Sequence, residues 1–532
     1  MKKILALVLA LMMVLAMGTF ASAEENYNPD AIIYTTSTDN PTHLDPVYVS
    51  DGQSTTITGK VYSGLIGYNH DGSIFYDVAE SVDISDDALT YTFHIRPGIK
   101  FHDGTTLDAN AVKWNWDRVV PEPIGHGTAD MPYSEVLFGN IASYQVIDDL
   151  TFEATLKRPD SDTLILLGSN SLAAAIVSPT AYEADPEGFD YNPVGSGPYK
   201  FVEWQSGQYV RLERYDDYHL GKPANGGVIC KIIPESATMV SELMTGGIDV
   251  LTTLPADQID MLEAADNVNV VNQPSNNLSY LSFVDIPNTI FNDIRLRQAV
   301  CYALDMDSIN AALYGDGMDP AYSAIPVNMQ AGSDDRYEPI GYDPEKAKEL
   351  MAEAGYPDGF SFKLLTYNVT KGYNPRGEQL AIQMAVELEK VGIKMEVSTK
   401  PWAEIIEYWY SWPKDTEGDN HFDATLSGWG ADYNTSSNIL FLFSAEENEG
   451  GNNYSTWYGE KFNEYFQAAK TASSYEEAGE YYYLAAQNLN EEVPVYILGH
   501  GVDHIATSTK ILNADECYGG WGTHDWQVKK AD

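Results

Sequence analysis

The clearest hydrophobic pattern lies in the C-terminal half of the chain. Tyr342-Asp343-Pro344-Glu345 is typical of a helix start, with a cap residue, a proline and an early acid, and Gly355 marks the helix end. Periodic apolar residues then predict a strand from Phe360 to Leu364, a helix from Asn374 to Val391 and a strand from Ile393 to Val397. This order predicts a βαβ unit with parallel strands and a right-handed connection.

A second pattern lies nearer the N-terminus. Residues Tyr91 to Arg96 alternate between apolar and polar side chains and are followed by Pro97-Gly98, which predicts a hairpin with Ile99-Lys100-Phe101 as the return strand. Asp108 is placed to cap a helix that runs to Val119. The fold class is therefore α/β, with helix and sheet mixed along the chain.

The first residues have the pattern of a secretory signal peptide. Lys2 and Lys3 precede an apolar run from Ile4 to Met17, and an A-x-A site ends at Ala23. The run is short for a membrane-spanning helix. We expect residues 1–23 to be removed and the protein to be secreted into the periplasm or the extracellular envelope. No cysteine follows the apolar run, so a lipid anchor is not expected.

Composition limits the possible functions. With 532 residues the chain should form two to four structural units, and 44% hydrophobic with 20% charged residues is typical of folded protein. The formal charge of −47 repels phosphate backbones and excludes nucleic acid as a partner. The three cysteines, Cys230, Cys301 and Cys517, are far apart, which indicates neither a disulfide framework nor a zinc site.

Signatures of common catalytic and cofactor sites are absent from the sequence. There is no GxSxG, HExxH, Walker A, GxGxxG or EF-hand motif. We therefore predict no cofactor, no metal site and no catalytic residue. The 78 acidic residues provide many possible carboxylate pairs, so a glycoside hydrolase is not excluded by sequence alone.

Six phrases occur in a familiar order. They are Leu44-Asp45-Pro46, Val61-Tyr62-Ser63-Gly64-Leu65, the block from Ala79-Glu80-Ser81 to His102-Asp103-Gly104-Thr105, Val194-Gly195-Ser196-Gly197-Pro198-Tyr199, Phe291-Asn292-Asp293-Ile294-Arg295-Leu296-Arg297-Gln298-Ala299 and Asp343-Pro344-Glu345-Lys346-Ala347. Over nearly the whole mature chain this order resembles the family 5 extracellular solute-binding proteins of ABC importers, the peptide- and nickel-type binding proteins.

The resemblance implies a large periplasmic-binding-protein fold of type II, with two α/β lobes, a hinge and an inserted third subdomain. By analogy lobe I comprises residues 24–70, 191–285 and 498–532. The insert is 71–190 and lobe II is 286–497. Ligand is expected to bind between the two lobes.

One site candidate lies after a predicted strand at His421 to Leu426. Asp432 follows that strand, where ligands bind in open α/β sheets. In peptide-binding members a similar Gly-Trp-x-x-Asp stretch provides the aspartate that pairs with the ligand's α-ammonium group. Gly428, Trp429 and Tyr433 belong to the same stretch. As alternatives, Asp432 could be a cap or loop residue and Trp429 could pack within lobe II.

The second candidate is Arg376, which Asn374-Pro375 would place in the first turn of a helix. A cation there opposes the helix dipole, and a ligand carboxylate would compensate for it. Dipeptide-binding members resemble this stretch, and in them the arginine holds the ligand's C-terminus. The alternative is a surface arginine paired with an acid.

Weaker candidates are aromatic or lie in a turn. Tyr280 matches a family position that lines the cleft, although packing within a strand explains it equally well. Three further residues are equally weak candidates for the cleft: Trp402, Tyr48 and Asp51, the last in the turn Ser50-Asp51-Gly52. Tyrosine and tryptophan suit pockets that accept varied side chains or stack on sugars.

Together these features predict a secreted, non-enzymatic and monomeric receptor that captures a short peptide and delivers it to an ABC transporter permease. Within the family, the alternative is an oligosaccharide or a nickel or other metal-chelate ligand. From another class, the alternative is a secreted carbohydrate hydrolase.

Overall fold

A computed structural model describes residues 27–532, except 70–71, 170, 253, 255–257, 288, 316, 330–331, 334–335, 339, 412–413, 415–417, 419–420, 473 and 519–523. The predicted signal peptide, residues 1–23, lies outside the described residues. Within the described part of the chain, no helix combines the length and the apolar character needed to cross a bilayer.

The strands of the described chain are spread over its whole length. They are β1 (Ile32–Ser37), β2 (Ile66–Tyr68), β3 (Ile74–Tyr76), β4 (Ala79–Ile84), β5 (Thr90–Ile95), β6 (Ile141–Asp148), β7 (Thr151–Leu156), β8 (Tyr199–Gln205), β9 (Tyr209–Arg214), β10 (Gly227–Ile232), β11 (Val250–Leu251), β12 (Val268–Pro274), β13 (Asn277–Phe283), β14 (Met318–Asp319), β15 (Phe360–Tyr367), β16 (Ile393–Lys400), β17 (Ala424–Gly430) and β18 (Val495–Ser508).

The helices alternate with these strands. They are α1 (Gly52–Val61), α2 (Ala109–Val119), α3 (Ser134–Phe138), α4 (Thr163–Leu166), α5 (Pro179–Ala184), α6 (Ser236–Thr245), α7 (Ile259–Glu263), α8 (Ile294–Tyr302), α9 (Met306–Tyr314), α10 (Pro344–Glu353), α11 (Gly377–Glu389), α12 (Trp402–Tyr410), α13 (Ser437–Leu440), α14 (Glu460–Lys470), α15 (Tyr475–Glu492) and α16 (Ala514–Cys517). Short 3-10 turns include Pro46–Tyr48, Phe189–Tyr191, Ile290–Asn292, Phe441–Phe443, Ala445–Glu447 and Asp525–Gln527.

Three sheets define the architecture. Lobe I contains the sheet β1-β10-β9-β8, and the insert contains the antiparallel sheet β4-β5-β7-β6. Lobe II is built on β13-β17-β15-β16. Each sheet covers its own hydrophobic core, and α8 to α11 pack around the core of lobe II.

Strand β18 belongs to both lobes. Its first half pairs with β13 of lobe II, and its second half pairs with β12 and β11 on the lobe I side. Strand β13 precedes the proposed boundary at residue 285, yet it pairs along its whole length with β17 of lobe II. The segment boundaries remain a proposal, and this pairing favours starting lobe II at about residue 277.

The predicted βαβ unit is confirmed. Strands β15 and β16 pair in parallel from Phe360↔Ile393 to Tyr367↔Lys400, and α11 connects them. The Asp343 carboxylate caps α10 by accepting a 2.9 Å hydrogen bond from the Lys346 amide. The cap of α2 is confirmed as well, because Asp108 accepts from the amides of the first turn.

Three local predictions are wrong in detail. The strand from residue 91 forms no hairpin with Ile99-Lys100-Phe101, because β4 and β7 occupy its two edges. Helix α11 begins at Gly377 and not at Asn374, so Arg376 is its N-cap. Strand β17 starts at Ala424 and continues through Gly428 and Trp429, since its partner β13 offers pairing that far.

Two glycines near the start of β15 generate a stability prediction. Gly355 and Gly359 both have a φ of +93°, but only Gly359 is crowded, because an added Cβ would lie 1.9 Å from the Gly392 carbonyl oxygen. Gly355→Ala should cost about 1–2 kcal/mol from its left-handed backbone. Gly359→Ala should cost about 1–3 kcal/mol more through overpacking. Urea denaturation of both variants measures the difference in unfolding free energy, and equal losses would contradict it.

Candidate functional site

A cavity of about 410 Å³ lies where helix α1, the insert and the loop after β17 meet. Its lining residues are Ser50, Asp51, Gly52, Thr55, Thr56, Gly59, Lys60, Tyr62, Tyr68, Phe75, Tyr133, Gly168, Ser169, Ser171, Leu172, Pro198, Tyr218, Asp432, Tyr433, His524 and Trp526. Side chains from both lobes and from the insert therefore share one space, which makes this cavity the candidate ligand site.

Asp432 is placed in the cavity wall by hydrogen bonds to two asparagines. The Ala431 amide donates to the Asn276 carbonyl oxygen, just before β13, and the Asn276 side-chain amide donates to the Ala431 carbonyl oxygen, both at 3.1 Å. The Asp432 amide donates to Asn438 Oδ1 at 2.8 Å. Both ends of this short segment are thus held, so the position of Asp432 follows from the strand pairing of lobe II.

The Asp432 carboxylate has no ion pair and no side-chain hydrogen bond among the described residues. It remains exposed to the solvent of the cavity, while the surrounding protein raises its pKa through partial desolvation. Its charge in turn adds to burial in raising the pKa of Tyr133, which faces it from the insert. A carboxylate in this state favours a cationic partner.

Asp51 is the second acid of the lining, and its oxygens are already occupied. It caps α1 by accepting from the Ser54 amide at 2.8 Å and the Ser54 hydroxyl at 2.7 Å, and it also accepts from the Thr42 hydroxyl. Burial alone would raise the pKa of Asp51, but these hydrogen bonds outweigh it and lower the pKa. Its role is therefore structural in the first place.

Lys60 is the one lysine among the described residues of the cavity lining, and its charge is neutralised within the protein. The side chain is 5% exposed, and Nζ lies 2.6 Å from an oxygen of Asp525. The other Asp525 oxygen accepts the Tyr518 hydroxyl at 2.9 Å. With Lys60 paired, the unpaired charge that the described lining offers to a ligand is negative.

Aromatic rings form much of the remaining wall. Phe75 of β3 lies 6.1 Å from His524, and Tyr218 meets Trp526 edge to face at 5.4 Å, both measured between ring centroids. Hydroxyl groups of serine, threonine and tyrosine lie between these rings. Such a wall provides apolar area together with polar tips, and it can contact both the backbone and the side chains of a guest.

The structure brings three of the predicted site residues together, since Asp51, Asp432 and Tyr433 all line the cavity. Three others have packing roles in lobe II. Tyr280 is fully buried against Phe443, and Trp429 meets Phe441 edge to face. A Cβ on Gly428 would overlap the ring of Tyr373.

The remaining candidates lie outside the cavity lining. Trp402 packs against Tyr367 and Trp409, and the Lys371 ammonium lies 3.4 Å from the centre of one of its rings. Tyr48 lies in a 3-10 turn beside His43. Arg376 is exposed at the start of α11 and has no ion pair among the described residues. Their roles in binding stay predictions.

Sequence reasoning missed most of the lining. Tyr68 and Phe75 lie on the hairpin β2–β3, which the Asp71-Gly72 turn signal could have indicated. Lys60, His524 and Trp526 carried no such signal, because the sequence separates α1 from the C-terminal segment by more than 400 residues. Among the described residues, no group of three or more metal-binding side chains is present. All three cysteines are free and buried.

Comparison with known proteins decides the family. Residues 74–451 match the model of the bacterial extracellular solute-binding proteins, family 5. This chain belongs to that family. The match confirms the resemblance inferred from the ordered phrases.

Individual relatives extend over most of this family 5 solute-binding protein. The glutathione-binding protein GsiB of Pectobacterium atrosepticum is 33% identical over 375 residues, which cover 69% of each chain. The dipeptide-binding protein of Escherichia coli is 28% identical over 90% of this chain and 87% of its own. The solved structure of HbpA2 from Haemophilus parasuis has a TM-score of 0.84 at 23% identity, covering 94% of this chain and all of that one. The periplasmic-binding-protein fold is confirmed.

The buried pair in the cavity floor generates a second prediction. Lys60→Met leaves the Asp525 carboxylate buried without its cation, and breaking a buried pair in this way costs about 3–5 kcal/mol of unfolding free energy. The double variant Lys60→Met/Asp525→Asn removes both charges and should recover part of that loss. Chemical denaturation measures both values. A single variant as stable as the double one would contradict the pairing.

Proposed function

We propose that this solute-binding protein is a receptor for short peptides with a free amino terminus, which it binds in the cavity beside Asp432. The observation that carries the proposal is the Asp432 carboxylate, exposed in the cavity and without a cation among the described residues. A peptide α-ammonium group would be its partner. A charge-assisted contact of this kind contributes about 1.5–3 kcal/mol.

The relatives support the same ligand class. Two of them are named for binding glutathione and dipeptides, which are short and carry a free amino group. The hydroxyl groups and rings of the cavity wall suit a ligand whose backbone is constant and whose side chains vary. In this proposal backbone contacts provide affinity, and the aromatic wall keeps side-chain selectivity low.

Binding would shift the protein toward a closed state. The cavity takes its lining from both lobes and from the insert, so a ligand contacts all of them together only when the lobes approach each other. That differential contact is what moves an equilibrium between open and closed forms. The closed complex would then deliver the peptide to an ABC transporter permease outside the cytoplasm, without a chemical reaction and as a monomer.

Arg376 is proposed to hold the ligand's carboxyl terminus. It is the N-cap of α11, where no side chain caps the helix, and it is an exposed cation in a strongly acidic protein. The helix N-terminus and the guanidinium group would attract the same anion. Trp402, beside the loop that leads to α11, would lie near that end of the ligand.

An oligosaccharide is the second candidate ligand, and the aromatic wall favours it. Tyr68, Phe75, Tyr218 and Trp526 offer faces on which sugar rings can stack. A sugar would leave Asp432 without a cation, however. This difference makes the carboxylate the point at which the two candidates separate.

Asp432→Asn is expected to weaken the binding of di- and tripeptides with free amino termini by about 10- to 150-fold, which corresponds to losing ~1.5–3 kcal/mol of charge-assisted contact. N-acetylated forms of the same peptides lack the ammonium group and should lose little. Isothermal titration calorimetry gives the dissociation constants. A thermal-shift panel checks the ligand class, because a ligand at 100 times its Kd stabilises the wild-type protein by about 2.7 kcal/mol.

Asp358→Asn is the matched control, because Asp358 is an exposed aspartate of lobe II in the turn before β15. It should bind both peptide forms as the wild type does. Equal losses for free and acetylated peptides would remove Asp432 from the site. Stabilisation by oligosaccharides alone would remove the peptide ligand, and conversion of the ligand into products would remove the receptor function.

A further inference from the structure

The insert contacts lobe II beside the cavity through a buried aspartate. Asp162, just before α4, is 3% exposed. One of its oxygens accepts a hydrogen bond from the Ser437 hydroxyl of α13, and the Tyr482 hydroxyl of α15 lies 3.2 Å from the same oxygen. We call Asp162, Ser437 and Tyr482 the clasp. It joins the insert to lobe II, both of which contribute residues to the cavity lining.

Backbone contacts support the clasp from the same segment. The Ser161 amide donates to the Lys470 carbonyl oxygen at 3.1 Å, and the Ser161 hydroxyl donates to the Ala469 carbonyl oxygen at 3.0 Å. The carbonyl groups at the end of α14 therefore accept hydrogen bonds from the insert segment. The contact is specific in geometry, because each group involved has a defined partner.

The clasp connects directly to the loop that carries Asp432. Ser437 lies five residues after Asp432, and the loop residue Asn434 donates to the Gly72 carbonyl oxygen of the insert at 2.7 Å. Asn438, next to Ser437, accepts the Asp432 amide. The insert thus holds the binding loop at two points. Separation of the insert from lobe II would release both of these points.

We propose that Asp162 is a positioning residue for the ligand site: the clasp engages when the insert meets lobe II, and its engagement fixes the loop that presents Asp432 to the ligand. This inference rests on the proposed function for its effect on peptide affinity. The clasp is a contact within the protein, so its engagement can be measured without any ligand.

Proton binding gives the clasp a measurable signature. Burial, and after it the neighbouring Asp160 carboxylate, raise the pKa of Asp162 to about 7. The other titratable and charged groups that face it are listed here by origin: Arg158, Lys157 and Glu135 from the insert, Tyr68 from β2, and Lys470, Tyr433 and Tyr482 from lobe II. When the clasp opens, water reaches Asp162 and its pKa returns toward the ordinary value of 3.8.

The sign of the pH dependence follows from this difference. Between the two pKa values the engaged state holds a proton that the open state has released, so engagement is strongest below the open-state value of 3.8, weakens as the pH rises toward the engaged value of about 7 and levels off above it. With pKa values of about 7 and 4 for the two states, full coupling makes the protein bind peptide about tenfold more tightly at pH 6 than at pH 8. Titration of the ligand's own amino group also makes binding depend on pH, but it does so equally in every variant.

The test compares the wild type with Asp162→Asn, which keeps the shape of the side chain but does not titrate. The ratio of the peptide Kd at pH 8 to that at pH 6 should fall by up to about tenfold in the variant. Asp285→Asn is the matched control, because burial also raises the pKa of Asp285 but it belongs to neither the cavity nor the clasp. It should keep the wild-type ratio. An unchanged ratio in Asp162→Asn would overturn the proposal.

Two further measurements separate this inference from the proposed function. Ser437→Ala removes a clasp donor and should weaken peptide binding at pH 6, with little added effect of Asp162→Asn in the double variant. Hydrogen exchange of the Ser161 amide, corrected for its intrinsic rate, reports engagement without any ligand. If no peptide binds, but protection of the Ser161 amide falls from pH 6 to pH 8 in the wild type and not in Asp162→Asn, the clasp is supported and the peptide function fails. If protection has the same pH dependence in both proteins, the clasp is overturned.

Discussion

One shared strand constrains the whole molecule. Strand β18 pairs with β13 in lobe II and then with β12 on the lobe I side, and the chain crosses between the lobes again at Ser275-Asn276, directly beside it. Backbone hydrogen bonds join these crossings, including one from the Ser275 amide to the Gly501 carbonyl oxygen at 2.8 Å. Because the lobes are tied along this line, they can separate only on the far side. The cavity and the clasp both include residues from the two sides, so separation of the lobes would open them.

The charge balance explains why one carboxylate matters among so many. The chain carries 78 acidic residues, but those near the cavity are mostly committed to the protein. Asp51 accepts from Thr42 and Ser54, Asp525 pairs with Lys60, and Asp77 pairs with His219 at 2.6 Å. Asp432 lacks such a partner in the described chain. In the proposed function, the ammonium group of the ligand would replace the solvent around this carboxylate.

Predictions from sequence succeeded where the cause is local. The caps Asp108 and Asp343 satisfy amides within three residues, and the βαβ unit follows from a period that changes from two to 3.6 and back. They failed where the cause is distant. Strand β5 pairs with β4 just before it and with β7 about 60 residues later, and no local pattern distinguishes β7 from the nearby Ile99-Lys100-Phe101 as the second partner. For the same reason Asp432 was identified through a motif, whereas Lys60 and Trp526 were not.

The inserted subdomain contributes both to the cavity lining and to the contact with lobe II. A two-lobed receptor needs only a hinge and two faces, yet here Phe75 and Tyr133 of the insert line the cavity, and Asp162 of the insert contacts lobe II. Burial beside Asp160 disfavours the charged form of Asp162, which hydrogen bonds from Ser437 and Tyr482 offset only in part, so the proposed clasp would weaken where Asp162 loses its proton. A receptor must both hold and release its ligand. A contact of marginal stability allows both, because a strong contact would prevent opening and an absent contact would leave the binding loop free to move.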